Sequence, residues 1–99
     1  MDLSLGQVVY SRAGRDKGRI FVVVKLADAQ HVMVSDGKLR KIEKPKKKKI
    51  KHLKITETVI GHLKDMLANG SGISNSDIRK ALALAEVSGR YIQPDGGMV

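Results

Sequence analysis

The sequence predicts an α+β protein that is mainly β, with a small five-stranded barrel followed by a C-terminal helical hairpin. Apolar residues in the first half form short β-branched runs separated by glycine-containing turns, as in small antiparallel sheets. Apolar residues in the second half recur at helical spacing. We therefore expect the barrel over residues 1–55, the hairpin over residues 56–90, and a flexible tail over residues 91–99, where no period is evident.

The first three strands are predicted from β-branched and aromatic residues. Gln7–Ser11 forms the first strand and residues 19–25 the second. The centre of the second strand, residues 20–24, is continuously apolar, which predicts that both of its faces are covered. His31–Ser35 alternates well enough to be a third strand.

The last two strands are predicted from a turn signal and from spacing. The dipeptide Asp36-Gly37 is typical of a hairpin turn, so residues 39–42 are expected to form the fourth strand. Residues 43–49 are polar and basic, and we expect a connection there. A fifth strand would then close the sheet through Ile50, Leu53 and Ile55.

The first helix is predicted from apolar residues at helical spacing. Thr56 is its candidate N-cap, Glu57 lies in the first turn, and Asn69-Gly70 is expected to end it. Its apolar face would consist of Val59, Ile60, Leu63, Met66 and Leu67.

The second helix has clearer boundary signals. Ser74 as N-cap and Asp77 three residues later approximate a capping box, and Ile73 with Ile78 has the spacing of a hydrophobic staple. Ser88-Gly89 is expected to end the helix. Its apolar face would consist of Ile78, Ala81, Leu82 and Ala85.

The charge of the chain is concentrated in its first half. The net charge is +9, yet residues 1–55 carry fifteen Lys and Arg against five Asp and Glu, whereas residues 56–99 carry four against five. A basic half beside a neutral half predicts that one surface meets a polyanion and that the other has a different role.

A basic turn joins the first two strands. In GQVVYSRAGRDKG, residues 6–18, the glycines Gly6, Gly14 and Gly18 supply positive φ or room for a close approach. Asp16 is expected to bond the backbone of this turn rather than to bind a ligand. The positive side chains around the turn are Arg12, Arg15, Lys17 and Arg19.

This turn resembles the KOW motif, a segment of SH3-like β-barrels found in ribosomal proteins and transcription elongation factors. The match is closer to the large-subunit ribosomal proteins of the L-fourteen-e type and their short bacterial KOW relatives. Its pieces are GQVVYSRAGRDKGR, FVVV, VMVSDGKLRK and KKKKIKHLKIT, which lie in order between residues 6 and 56. Phe21 departs from the broader motif, which often has glycine there. The resemblance implies an SH3-like barrel, RNA binding, and large-subunit ribosomal RNA as the partner.

Three basic clusters are candidates for phosphate contact: the turn, Arg40 with Lys41, and the lysine run with Lys51. The run Lys46–Lys49 has two other interpretations, a solvated linker or an import signal. Few aromatic residues are available to stack bases, which favours duplex or folded RNA read through its backbone. The predicted RNA-binding residues are Arg12, Arg15, Lys17, Arg19, Arg40, Lys41, Lys46, Lys47, Lys48, Lys49 and Lys51.

Two residues at the end of the barrel, which match the L-fourteen-e type of KOW protein, are interpreted as structural. His52 is expected to hold its strand by a hydrogen bond, and Leu53 is expected to fill the core. His31, His52 and His62 lack the spacing of a metal pair, so neither a metal nor a cofactor is predicted. No nucleophile turn or phosphate-cradling loop is recognisable, and we do not expect an enzyme.

We expect a soluble cytoplasmic protein, because MDLSLGQ lacks the basic flank and apolar core of a signal peptide and no apolar run approaches membrane-spanning length. RNA binding, as a ribosomal or ribosome-associated protein, is the first functional hypothesis. The alternative is a protein-interaction adaptor of the transcription or translation machinery, which would bind a ribosomal or transcription protein through its helices or barrel. A chromatin protein is a third hypothesis, although the chain has no basic helix for reading a DNA groove.

Overall fold

One antiparallel sheet of five strands, a short 3-10 helix and two α-helices form the described part of the chain. The computed structural model describes the backbone of residues 3–91 and the side chains of residues 3–86. The strand order is β4-β3-β2-β1-β5, so β4 and β5 lie at the two edges. The elements are β1 (Gln7–Ser11), β2 (Ile20–Leu26), β3 (His31–Ser35), β4 (Lys46–Lys49), the 3-10 helix (Ile50–His52), β5 (Leu53–Val59), α1 (Gly61–Asn69) and α2 (Asn75–Tyr91).

The predictions of an α+β class and of five strands are confirmed. β1 and β3 have the predicted bounds, and β2 is shifted by one residue. β2 is covered on both faces as predicted, because successive side chains of a strand point to opposite sides. Val22 and Val24 pack in one buried cluster, and Phe21 and Val23 pack in another.

The fourth strand is not where the sequence predicted it. Residues 39–42 are a loop, because the backbone donors around them are taken by side chains. The Asp36 carboxylate accepts the N–H groups of Lys38 and Arg40, each at 2.9 Å, and the Ile42 N–H donates to Asn75 Oδ1 at 2.8 Å. The strand that pairs with β3 is instead the lysine run, in the register from His31↔Lys49 to Val34↔Lys46. The prediction of a connection over residues 43–49 is therefore wrong for its last four residues.

β5 begins later and ends later than predicted. Ile50 lies in the 3-10 helix, and the strand continues through Thr56 to Val59, so Thr56 is not a helix N-cap and Glu57 is not in a first turn. Thr56 lies where the register between β5 and β1 shifts, and its Oγ1 donates to the Val8 carbonyl at 2.7 Å. Its β-branched neighbourhood suits a strand at least as well as a helix. The predicted boundary between residues 55 and 56 falls inside this strand.

The first helix ends as predicted but starts late. α1 begins at Gly61 with Ile60 as N-cap and without a side-chain cap, so Val59 and Ile60 precede it. Gly70 ends the helix in the left-handed conformation, with φ of +71°. The Ser71 N–H then bonds the Met66 carbonyl at 2.9 Å, as at many helix ends that finish in glycine.

The N-terminus of α2 has the predicted capping box. The Asp77 N–H donates to Ser74 Oγ at 3.0 Å, and the Ser74 N–H donates to Asp77 Oδ2 at 3.1 Å. The predicted end at Ser88-Gly89 is wrong, because α2 continues to Tyr91. Glycine costs a helix about 1 kcal/mol relative to alanine, which does not by itself end it. Tyr91 of the predicted tail is therefore helical, and residues 92–99 lie outside the described residues.

Both helices pack on one face of the sheet. Their buried side chains join those of β1 and β2 in a cluster that we call the helix-side core: Val8, Val22, Val24, Leu63, Ile78, Ala81 and Leu82. The other face buries the opposite core: Val9, Phe21, Val23, Val32, Val34 and Leu53. Leu53 thus fills the core as predicted. Neither of the helices described here is long and apolar enough to cross a membrane.

Candidate nucleic-acid interface

The basic turn between β1 and β2 is held by its own backbone. The Gly18 N–H donates to the Ser11 carbonyl at 2.8 Å, and the Lys17 N–H donates to the Gly14 carbonyl at 3.2 Å. Gly14 and Gly18 have φ of +76° and +87°, so both adopt the predicted positive φ. A backbone bond from Arg12 N–H to the His52 carbonyl, at 2.8 Å, attaches the turn to the 3-10 helix.

Asp16 is the one buried charge of this turn, and its role differs from the prediction. The residue is 5 % exposed. Its carboxylate bonds no backbone group among the described residues; instead it accepts Arg40 Nη2 at 3.0 Å and Lys48 Nζ at 3.1 Å, and Arg19 Nε lies at 3.9 Å. Arg40 and Lys48 are distant from Asp16 in the sequence, so sequence periodicity cannot reveal these contacts. Asp16 therefore acts between segments and not within the turn.

The charge state of Asp16 follows from two opposing effects. Burial opposes ionisation and raises the pKa of the carboxyl, while hydrogen bonds from Lys48 and Arg40 lower it. The hydrogen bonds, together with the attraction of the two positive charges, outweigh the burial. The pKa of Asp16 is therefore below its ordinary value of 3.8, and the group is ionised at neutral pH.

Asp16 brings the three predicted basic clusters together. Arg19 belongs to the turn, Arg40 to the loop between β3 and β4, and Lys48 to β4, and all three approach the same carboxylate. Clusters that are separate in the sequence are therefore contiguous in space. Arg40 and Lys48 are also the two least exposed of the predicted RNA-binding side chains, at 32 % and 12 %.

The lysine run is a strand, so its side chains divide between two faces. Lys46 and Lys48 pair with Val34 and Val32, whose side chains lie in the opposite core. Lys47 and Lys49 therefore point to the face of the helix-side core. The interpretation as a solvated linker is wrong, since the run is hydrogen-bonded to β3. Charged edge strands also discourage pairing with other chains.

The loop that carries Arg40 is clamped by the start of α2. Asn75 accepts the Ile42 N–H at 2.8 Å and donates to Glu43 Oε1 at 2.9 Å. Arg79 Nη1 donates to the Gly37 carbonyl at 2.7 Å. Asn75 and Arg79 are not among the site residues predicted from the sequence. The signal available was a pair of polar residues, four apart, in the first turns of a predicted helix.

Two further turn glycines allow close approach. Gly37 has φ of +72°, and a Cβ there would collide with the Asn75 carbonyl oxygen. Gly6 has φ of +81°, and a Cβ there would lie 2.9 Å from the Ile60 carbonyl oxygen. Gly6 therefore allows the start of α1 to pack closely on the chain just before β1. Among the predicted turn glycines, Gly6 thus has a structural role.

Most predicted RNA-binding side chains are solvent exposed. The exposed members of the predicted set are Arg12, Arg15, Lys17, Arg19, Lys41, Lys46, Lys47, Lys49 and Lys51.

His52, which was predicted to hold its strand by a hydrogen bond, is exposed in the 3-10 helix. Its backbone carbonyl accepts the Arg12 N–H, and its side chain makes no hydrogen bond among the described residues. The described residues also contain no group of three His, Asp or Glu placed to hold a metal.

No protein-family model matches the sequence, and no curated protein matches it either. The resemblance to KOW proteins therefore rests on the four ordered segments quoted above and on no comparison with known proteins.

Proposed function

We propose that this protein binds structured RNA through phosphate contacts made by the basic turn, the loop between β3 and β4, and β4. The main observation in support is that one cation from each of these segments lies next to the buried carboxylate of Asp16. These contacts fix the relative positions of the three segments and so of the exposed cations next to them in sequence. Lys and Arg in fixed positions are suited to contact the phosphates of a folded RNA.

We also propose that the sheet is an SH3-like barrel of the KOW type. The edge strands β4 and β5 are joined through the three residues of the 3-10 helix. Four residue steps from Lys49 to Leu53 span at most about 14 Å. The edges of a flat five-stranded sheet would lie about 19 Å apart, at about 4.8 Å between strands. This short connection supports a sheet that curves so that its edges approach each other, as in a barrel.

Large-subunit ribosomal RNA is the target that the resemblance to the L-fourteen-e family supports, with the cytoplasm as the location. The alternative, a protein-interaction adaptor, needs a free apolar face on the helices if it binds its partner through them. The apolar face of α2 packs on the sheet through Ile78, Ala81 and Leu82, and Leu84, at 70 % exposure, is the large apolar side chain that remains exposed on the described part of that helix. RNA binding is therefore the better supported function.

The test measures the affinity of the full chain for a folded ribosomal RNA fragment at several salt concentrations. Contact with about five phosphates predicts a log–log slope of about −3.5 to −4.5, because each neutralised phosphate contributes about 0.7 to 0.9. The double variant R12Q/R15Q should weaken binding and flatten the slope. The matched control K64Q/K80Q removes the same charge from exposed helix positions and should leave both unchanged.

A salt-independent affinity, or equal losses for the two double variants, would contradict the proposal. Sedimentation of cell extract through a ribosome gradient then tests the target. Comigration with the large subunit in low and high salt indicates a ribosomal component, whereas loss in high salt indicates a transient factor.

A further inference from the structure

The loop between β3 and β4 borders an open cleft of about 460 Å³, here named the loop cleft. Binding sites for small ligands usually have volumes of about 300 to 1,000 Å³, so this cleft is large enough for one nucleotide. It lies beside the Asp16 cluster, because Arg40 belongs to both. The residues that line it are Leu39, Arg40, Lys41, Lys44, Pro45 and Lys46.

Four of the residues that line the loop cleft are cationic and none is acidic. The acidic residue nearest in sequence, Glu43, is engaged elsewhere, because Asn75 Nδ2 donates to both of its carboxylate oxygens at 2.9 and 3.2 Å. This hydrogen bond is the main reason that the pKa of Glu43 lies below its ordinary value of 4.5. In contrast, the cleft between the basic turn and α2 contains Asp36 and Glu86 beside its cations.

The cations of the loop cleft are on a braced segment. The Lys44 N–H donates to the Lys41 carbonyl at 2.9 Å, which closes a turn and brings the two lysines near each other. Asn75 fixes the Ile42 N–H inside that turn, and Asp16 holds Arg40 from the other side. A phosphate would therefore meet positive groups whose backbone is already positioned, which reduces the ordering needed on binding.

The loop cleft also offers apolar surface. Leu39, which is 59 % exposed, and Pro45 both line the cleft. We propose that the loop cleft is a subsite for one nucleotide of the bound RNA, with Lys41, Lys44 and Lys46 on its phosphate and Leu39 with Pro45 against its sugar and base. This inference rests on the proposed function. Aliphatic contact makes no base-specific hydrogen bond, so the subsite should accept any base and should favour an unpaired nucleotide.

The test is a titration of the full, isotope-labelled chain with uridine 5′-monophosphate and adenosine 5′-monophosphate, followed by NMR in phosphate-free buffer. We expect saturable amide shifts over residues 39–46 with similar affinity for both nucleotides. In K41Q/K44Q the affinity should fall about tenfold, since two charge-assisted contacts are lost. The matched variant K64Q/K80Q, with the same loss of charge at exposed helix positions outside the proposed RNA contacts, should bind within about twofold of the parent chain.

Three outcomes would overturn the subsite. They are the absence of shifts over residues 39–46, equal losses in the two double variants, and an equal response to inorganic phosphate, which would remove any role for the nucleoside. L39S, which keeps every charge, should weaken nucleotide binding and leave phosphate binding unchanged.

These results are separable from those on the proposed function. If the chain binds folded RNA with the expected salt slope and shows no nucleotide shifts, the subsite is wrong and the RNA-binding proposal stands. If the nucleotides bind the loop cleft while folded RNA does not bind, the RNA-binding proposal fails and the subsite is an independent nucleotide site.

Discussion

Replacing Asp16 by Asn keeps the shape of the side chain and removes the charge that joins the basic turn to the β3–β4 loop and β4. At an effective dielectric constant of about 20, a unit charge pair at the 3.0 Å observed for Arg40 interacts by about 5 to 6 kcal/mol. Burial of the carboxylate offsets several kcal/mol of this attraction. Because Arg40 and Lys48 keep partial contact with water, we expect a net loss of about 2 to 3 kcal/mol, between the values for exposed and buried pairs.

This loss is large enough to measure and small enough to leave the chain folded. A domain of this size has a stability of about 5 to 15 kcal/mol, and 1 kcal/mol shifts its melting temperature by about 4 to 8 °C. We therefore expect D16N to melt about 10 to 20 °C below the parent chain at neutral pH. The control D28N removes an exposed carboxylate that pairs with His31, and it should melt close to the parent.

The pH dependence gives a second readout of the same contact. Since the folded-state pKa of Asp16 is below 3.8, its contribution is present above that pH and is lost as the pH falls through the folded value. Urea unfolding of the parent and D16N should therefore differ at neutral pH and converge below pH 3.8. A D16N melting temperature within about 3 °C of the parent, or a difference that persists unchanged in acid, would refute the reasoning.

Substitutions at glycine and lysine test the geometry at other points. Gly37→Ala should lower the free energy of unfolding by about 3 kcal/mol and Gly14→Ala by about 1 kcal/mol, measured by thermal unfolding. Both glycines have positive φ, but the added Cβ at Gly37 also meets the Asn75 carbonyl, whereas no atom lies within 4 Å of one at Gly14. Equal losses would contradict the close packing of the loop on α2. Lys48→Gln should lower the melting temperature by about 5 to 10 °C and Lys49→Gln by less than about 2 °C. The reverse order would show that the alternation of faces in β4 is misjudged.

Local patterns predicted most of the secondary structure because the physics that forms those elements is local. β-branched runs bounded by turns identified β1, β2 and β3, and the reciprocal hydrogen bonds of Ser74 and Asp77 follow from a spacing visible in the sequence. Gly70 ended α1 for the same kind of reason.

The errors over residues 39–49 occurred where a distant partner decided the structure. A run of four lysines has low strand propensity, yet it pairs with β3. Lys48 also forms an ion pair with the buried carboxylate of Asp16, which lies in the turn between β1 and β2. The β3–β4 loop is likewise held by Asn75 and Arg79, which follow it by more than thirty residues. Composition places the candidate site in the basic half of the chain, but the arrangement of its charges depends on these long-range contacts.

An acidic residue at the centre of a cationic surface has a physical consequence for binding. Without Asp16, the charges of Arg19, Arg40 and Lys48 would repel one another, and the segments that carry them would be free to separate. The carboxylate removes one unit of net charge from the surface, yet it fixes the three segments before any ligand arrives. Because Asp16 is buried, a phosphate cannot readily take its place, so Arg40 and Lys48 are largely committed to the protein. Under the proposed function, the affinity for RNA should then depend on their exposed neighbours, such as Arg15 and Lys41, whose positions this buried cluster sets.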